Sequence, residues 1–228
     1  MATRFYFHAA NSAISGTLPT TEQSTLTAAA NGDAQSVNRS MNTTIGTAVA
    51  NIGITATSST RDLYFTKFVS PLLYQTTIAA NTWVYGFNAS EPNNLAINFP
   101  VSGSNQPVYV NIYVWRPSTG TKVGTILDGN TASTVDEPAS AITKTDHIVN
   151  CTGASVSGLT SGDAVIIIEI WFRTTSTAAG TNNIYFDGTT ALVENATNSD
   201  AASYLETPEN LVLSVAIPQT VLIEWEES

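Results

Sequence analysis

The stretch "DAVIIIEIWFR" at 163–173 limits the possible fold more than any other part of the chain. Its branched residues favour a strand, and strand side chains alternate between faces with a period of two. One face then carries Ile166, Ile168, Ile170 and Phe172, all apolar, while the other carries Val165, Ile167, Glu169, Trp171 and Arg173. Such a strand is buried on one side and covered on the other by something that tolerates a carboxylate. Glu169 is expected on that covered surface, within reach of solvent or of Arg173.

A second segment, "PVYVNIYVWR" at 107–116, has the same two-faced build. Val108, Val110, Ile112 and Val114 share its aliphatic face, and Tyr109, Asn111, Tyr113 and Trp115 share the other. Aliphatic faces pack against each other inside a sandwich. Aromatic rings with polar tips suit a surface that a partner, a ligand or another segment covers. Tyr109, Asn111, Tyr113, Trp115, Glu169, Trp171 and Arg173 are therefore expected to form an interface or ligand face.

Further strands are predicted at 3–7, 62–70, 82–89, 121–128, 146–153, 183–188, 210–218 and 221–226. In "RPSTGTK" (116–122) Pro117 sets a bend and Gly120 is free to take positive φ, which marks a hairpin turn. "TSGD" (160–163) opens the Ile-rich strand in the same way. Short strands at this spacing predict an all-β sandwich or barrel over 61–228.

Residues 1–60 read differently. After the strand at "TRFYF" no Phe, Tyr or Trp occurs between His8 and Leu63, and a stretch without aromatic anchors buries little surface alone. A short helix is possible near 22–30. The remainder reads as a loop or linker, or as a long Ser/Thr/Ala-rich arm that orders against a neighbouring subunit through Val37, Met41, Ile45 and Val49.

Charged residues make up only 11% of the chain and leave a net charge of −10, against a usual charged share of about 25%. Eight scattered Lys and Arg cannot replace the counterions of a nucleic acid or dock on an anionic bilayer. Neither nucleic acid nor membrane is an expected partner. Cys151 is the sole cysteine, so no intrachain disulfide can form. No apolar leader opens the sequence, and synthesis in a reducing cytoplasm is expected.

Little in the sequence points to catalysis. Adjacent Asp146 and His147 face opposite ways on a strand, and Cys151 lies about 13 Å from His147 along it. Cys151 is expected to be a small core residue. Asp128, Asp136 and Glu137 are the nearest approach to a metal set, but their spacing matches no EF-hand. No metal and no cofactor are expected. Glu169 with Glu224 would be the only carboxylate pair in an apolar setting, and no enzyme is expected.

"TRFYF", then "FTKFVSPLLYQTTIAANTWVYGF", "VYVNIYVWRPSTGTKVGTIL" and "LTSGDAVIIIEIWFRT" together resemble a group of small virion structural proteins of tailed bacteriophages. The likeness spans most of the chain and departs at "LSVAIPQTVLIEWEES". It implies a jelly-roll-like antiparallel β-sandwich and no catalytic activity. The expected role is a capsid decoration or cement protein that forms a homo-oligomer, with a trimer as one form. It would bind other virion proteins such as the major capsid protein. The alternative is a carbohydrate-binding module of a tail fibre, with Tyr109, Tyr113, Trp115 and Trp171 stacking on sugar rings.

Overall fold

The computed structural model describes residues 2–24, 28, 30–56, 61–90, 108–128, 145–174, 180–193, 196–197 and 200–214. Its strands are β1 (Arg4–Asn11), β2 (Ala30–Asn31), β3 (Arg39–Asn42), β4 (Ala50–Ala56), β5 (Arg61–Val69), β6 (Thr77–Ile78) and β7 (Asn81–Ser90). They continue with β8 (Val108–Arg116), β9 (Thr121–Leu127), β10 (Thr145–Gly153), β11 (Val156–Ser157), β12 (Val165–Thr174), β13 (Gly180–Phe186) and β14 (Tyr204–Glu206). Among the described residues no helix occurs, so the short helix considered near 22–30 is absent where that segment is described.

Twelve strands form one sheet, in the order β4-β13-β7-β14-β1-β3-β5-β12-β8-β9, with β10 on β7 and β2 on β5. Pairing is antiparallel except where β2 and β3 run parallel to β5. The sheet doubles over, so that Ile112, Ile166, Ile168 and Ile170 of β8 and β12 share one core with Trp83, Phe87 and Ile184 of β7 and β13. Phe68 of β5 stacks on Phe7 of β1 at 4.4 Å and meets the edge of Phe186 at 5.4 Å. The architecture is a β-sandwich, as the alternation of residues requires.

The predicted turns form with the expected chemistry. Gly120 takes φ +65° in the β8–β9 turn and Gly162 takes φ +74° ahead of β12. Cys151 is buried in the main core, where its thiol donates to the Trp83 carbonyl at 3.6 Å. Burial pushes this thiol up to about 12.

The extended arm is not what forms. Residues 9–60, expected to reach a neighbour, instead supply β2, β3 and β4 to the chain's own sheet. Met41, expected as an arm contact, is 1% exposed in the main core together with Ile52 and Ile54. Val37, Ile45 and Val49 are half-buried on the same fold. The segment lacks aromatics of its own, but its small apolar residues join a cluster holding Phe5, Phe7, Phe68 and Phe186. The described strands of 1–60, β1 to β4, thus lie in the same sheet as those of 61–228. At the other end, the described part of the strand predicted at 210–218 holds a single bridge, Leu73 with Leu213, residues 215–218 lie outside the described residues, and the strand that joins the ladder is β14. The predicted strand at 221–226 and Glu224 lie outside the described residues.

Candidate functional site

β12 lies between β5 and β8, and the register fixes which side chains meet. Ile168 pairs with Ile112 and Phe68 on the core face, while Glu169 pairs with Asn111 and Lys67 on the other. Beyond Ile170 the register on β5 slips by one residue, so Trp171 lies opposite Tyr64 and their rings meet edge to face at 5.4 Å. The outer face thus carries Tyr113, Trp115, Val165, Ile167, Glu169 and Trp171, as the alternation predicts. What the sequence does not show is how deeply this face is buried. Glu169, Lys67, Asn111, Tyr113 and Trp171 all have zero exposure, and Trp115 has 7%. Glu169 is therefore out of reach of solvent.

Four donors converge on the Glu169 carboxylate. Oε1 accepts from the Gln23 backbone N–H at 2.7 Å and from the Tyr113 hydroxyl at 3.0 Å. Oε2 accepts from Asn111 Nδ2 at 2.9 Å and from Trp171 Nε1 at 3.4 Å. A buried ionised carboxylate needs about this many donors to offset its lost hydration. Lys67, across the strand, donates instead to two backbone carbonyls, Thr21 at 3.2 Å and Gln35 at 2.5 Å. Burial pulls the Lys67 ammonium down to about 8, against the opposing pull of Glu169 and Glu22. Burial, then the Glu169 charge, pushes the Tyr64 and Tyr113 hydroxyls well above their usual range.

The cover is the chain's own segment between β1 and β3. Thr17 donates its N–H to Pro117 O at 2.8 Å and accepts Trp115 Nε1 at 2.7 Å. Ile14 and Leu18 pack on Tyr113, Trp115, Val165 and Ile167, and Ala28 packs on Tyr64 and Trp171. Gly16 permits the close approach, since a Cβ there would sit 2.7 Å from Pro117 O, and its φ is +106°. Further along, Asp33 accepts from Arg39 at 2.7 and 2.9 Å and from the Thr66 hydroxyl at 2.6 Å. The segment is thereby fastened to β5, β8 and β12, forming a second, polar core on the outside of the sheet.

Of other expected site residues the structure describes less. Tyr109 pairs with Trp171 and Arg173 with Asp62 through the backbone, and their side chains lie outside the described residues. Asp128 is half-buried and accepts from the Ser24 hydroxyl at 3.2 Å; Asp136 and Glu137 lie outside the described residues. Among the described residues no three His, Cys, Asp or Glu side chains converge as a metal set.

Several polar residues here escaped the sequence reading. Lys67, alone among the aromatics of "LYFTKFVS", carries the same signal that drew attention to Glu169. Gln23, Thr21 and Gln35 act through backbone atoms and carry no signal. His8 and Asp187 also meet, at 2.6 Å, with Asp187 held at φ +64° by bonds to the backbone of Phe7 and Ala9. A separate hollow of about 370 Å³ opens beside Ile14, Met41, Val69, Pro71 and Ser214, lined by no charged group. No protein-family model matches the sequence, and no curated protein sequence matches it.

Proposed function

We propose that the chain is a non-enzymatic structural protein of a bacteriophage virion, a decoration or cement protein that stabilises the capsid. It would be made in the host cytoplasm and incorporated into the particle as a homo-oligomer bound to neighbouring virion proteins such as the major capsid protein. The observation that carries this reading is the series of short likenesses running from "TRFYF" to "LTSGDAVIIIEIWFRT". A β-sandwich is the fold that the likeness implies. The buried polar layer adds support of a different kind: its carboxylate is locked by four donors in a dry, closed setting, which suits a rigid building block.

The tail-fibre alternative relied on an open aromatic face. Tyr113, Trp115 and Trp171 are instead buried under described residues of the same chain, Ile14, Thr17 and Leu18 over the first two and Ala28 beside the third, so those three rings are closed to a sugar. The experiment that tests the proposal is protein mass spectrometry of gradient-purified particles, with antibody labelling of intact virions. Stoichiometric presence on the head supports it. Absence from purified particles, or labelling confined to tail fibres, overturns it.

A further inference from the structure

Lys67, Glu169 and Asn111 stand in one row across three neighbouring strands. Glu169 is paired with Lys67 on β5 and with Asn111 on β8, and all three are fully buried on the covered face. Opposed residues of an antiparallel ladder lie about 4.5–5.5 Å apart at Cα, which puts Lys67 and Asn111 about 10 Å apart. A four-carbon lysine stem and a carboxamide can close that gap between them. Glu169 Oε2 is already in contact with the carboxamide, 2.9 Å from Asn111 Nδ2, and the Glu169 charge acts on Lys67. A nucleophile, an electrophile and a proton carrier thus share one fully buried layer.

We propose that this row is a self-modifying site, where the Lys67 amine condenses with the Asn111 carboxamide to form an intramolecular isopeptide bond. Glu169 first takes a proton from the Lys67 ammonium, leaving a neutral amine. The amine lone pair attacks Asn111 Cγ, forming the N–C bond and shifting the carbonyl electron pair onto Oδ1. Glu169 then delivers its proton to the Asn111 nitrogen, and the C–N bond breaks as the carbonyl re-forms. The remaining proton on the former Lys67 nitrogen passes to Glu169 and from there to the departing ammonia, so the products are a secondary amide and one ammonium ion, with Glu169 again a carboxylate. No oxidant, metal or cofactor enters the balance.

Three further observations favour the step. Burial keeps the amine near neutrality at about pH 8, and a neutral amine is the reactive form. Asn111 Oδ1 is buried and has no hydrogen-bond partner among the described residues. The Tyr64 hydroxyl, also buried and without a partner among the described residues, lies in the same layer, where the Glu169 charge reaches it. Two contacts must change: Lys67 has to exchange the Thr21 and Gln35 carbonyls for Glu169 and Asn111 as its stem turns across β12. The product would tie β5 to β8 over the central strand. The inference is independent of the virion reading.

The test is the intact mass of the full chain after purification and incubation at mildly alkaline pH. The expected mass is lower than the sequence mass by one ammonia, about 17 Da, with a digest fragment joining the Lys67 peptide to the Asn111 peptide. The linked fraction should build up faster as pH rises through about 8. Glu169→Gln and Asn111→Ala should stay at full sequence mass, with circular dichroism showing whether each has folded. Wild-type chain that stays at full mass overturns the proposal without recourse to any variant. A loss confined to a single unlinked peptide, as succinimide formation would give, also overturns it.

Discussion

Replacing Asp33 by Asn keeps the shape of the side chain and removes the charge that fastens the covering segment to β3 and β5. Asp33 accepts three hydrogen bonds, two of them from the Arg39 guanidinium in a bidentate pair. The two side chains are 13% and 18% exposed. Removing one partner from a fully buried pair costs about 3–5 kcal/mol. Residual solvent lowers that figure, as does the bond Arg39 keeps to the Ala9 carbonyl at 2.5 Å, so the expected loss is about 2–3 kcal/mol. In a chain of this size that lowers Tm by roughly 5–10 °C. A double-mutant cycle with Arg39→Met separates the pair from its surroundings, with an expected coupling of about 2 kcal/mol by thermal or urea unfolding. A Tm within about 1 °C of wild type, or a coupling near zero, would refute the reasoning. Either result would mean that the segment is held by its other contacts and not by this ion pair.

Three other outcomes follow from the same structure. The Gln23 amide, bonded to Glu169, should be strongly protected from hydrogen exchange in the dilute, isolated chain. Trp115→Phe, which frees the Thr17 carbonyl, should cost about 1 kcal/mol and speed that exchange several-fold. Exchange of Gln23 at the rate of an unfolded peptide would show that the cover does not close within one chain. Ile168→Asp should give no soluble folded protein by circular dichroism, since an unpaired carboxylate in the main core costs several kcal/mol of a total near 5–15; a folded variant would mean the faces are reversed. Cys151 should resist thiol reagents until the chain unfolds. Its thiol ionises near 9 when unfolded and only near 12 when folded, so the unfolded chain holds fewer protons in that window and stability falls as pH rises through it. A Cys151→Ala chain should lose that part of the decline, and an identical pH profile would argue against the burial.

The outer strands of the sequence map were legible because period-two alternation and turn residues reinforce each other. In 107–128 an aliphatic face, a Pro-Gly turn and a second strand all specify one hairpin. The two-faced character of β8 and β12 was legible too, and it led directly to Glu169. The cover was not. Its decisive groups are the Thr17, Thr21 and Gln35 carbonyls and the Gln23 N–H, which every residue type possesses. A segment poor in aromatics looked unable to fold because its aromatic neighbours lie far away in the sequence. β14 is only three residues long, too short for alternation to register. The meeting of His8 with Asp187, from opposite ends of the chain, likewise leaves no local trace.

The position of β1 has a consequence for synthesis. It lies between β3 and β14, with Phe5 paired to Leu205 and the Thr3 N–H bonded to Glu209 O at 3.1 Å. The first of the described strands to be synthesised therefore waits for the last of them before its ladder is complete. Until then it presents a row of unsatisfied amides and carbonyls flanked by Phe5 and Phe7, and such an edge pairs readily with whatever strand arrives. On a crowded polysome that strand can be β14 of the preceding copy, giving a strand-exchanged pair in place of a ladder closed within one chain. Folding should accordingly be slow, as expected where ladder partners are so distant along the chain, and yields should fall as expression rate rises.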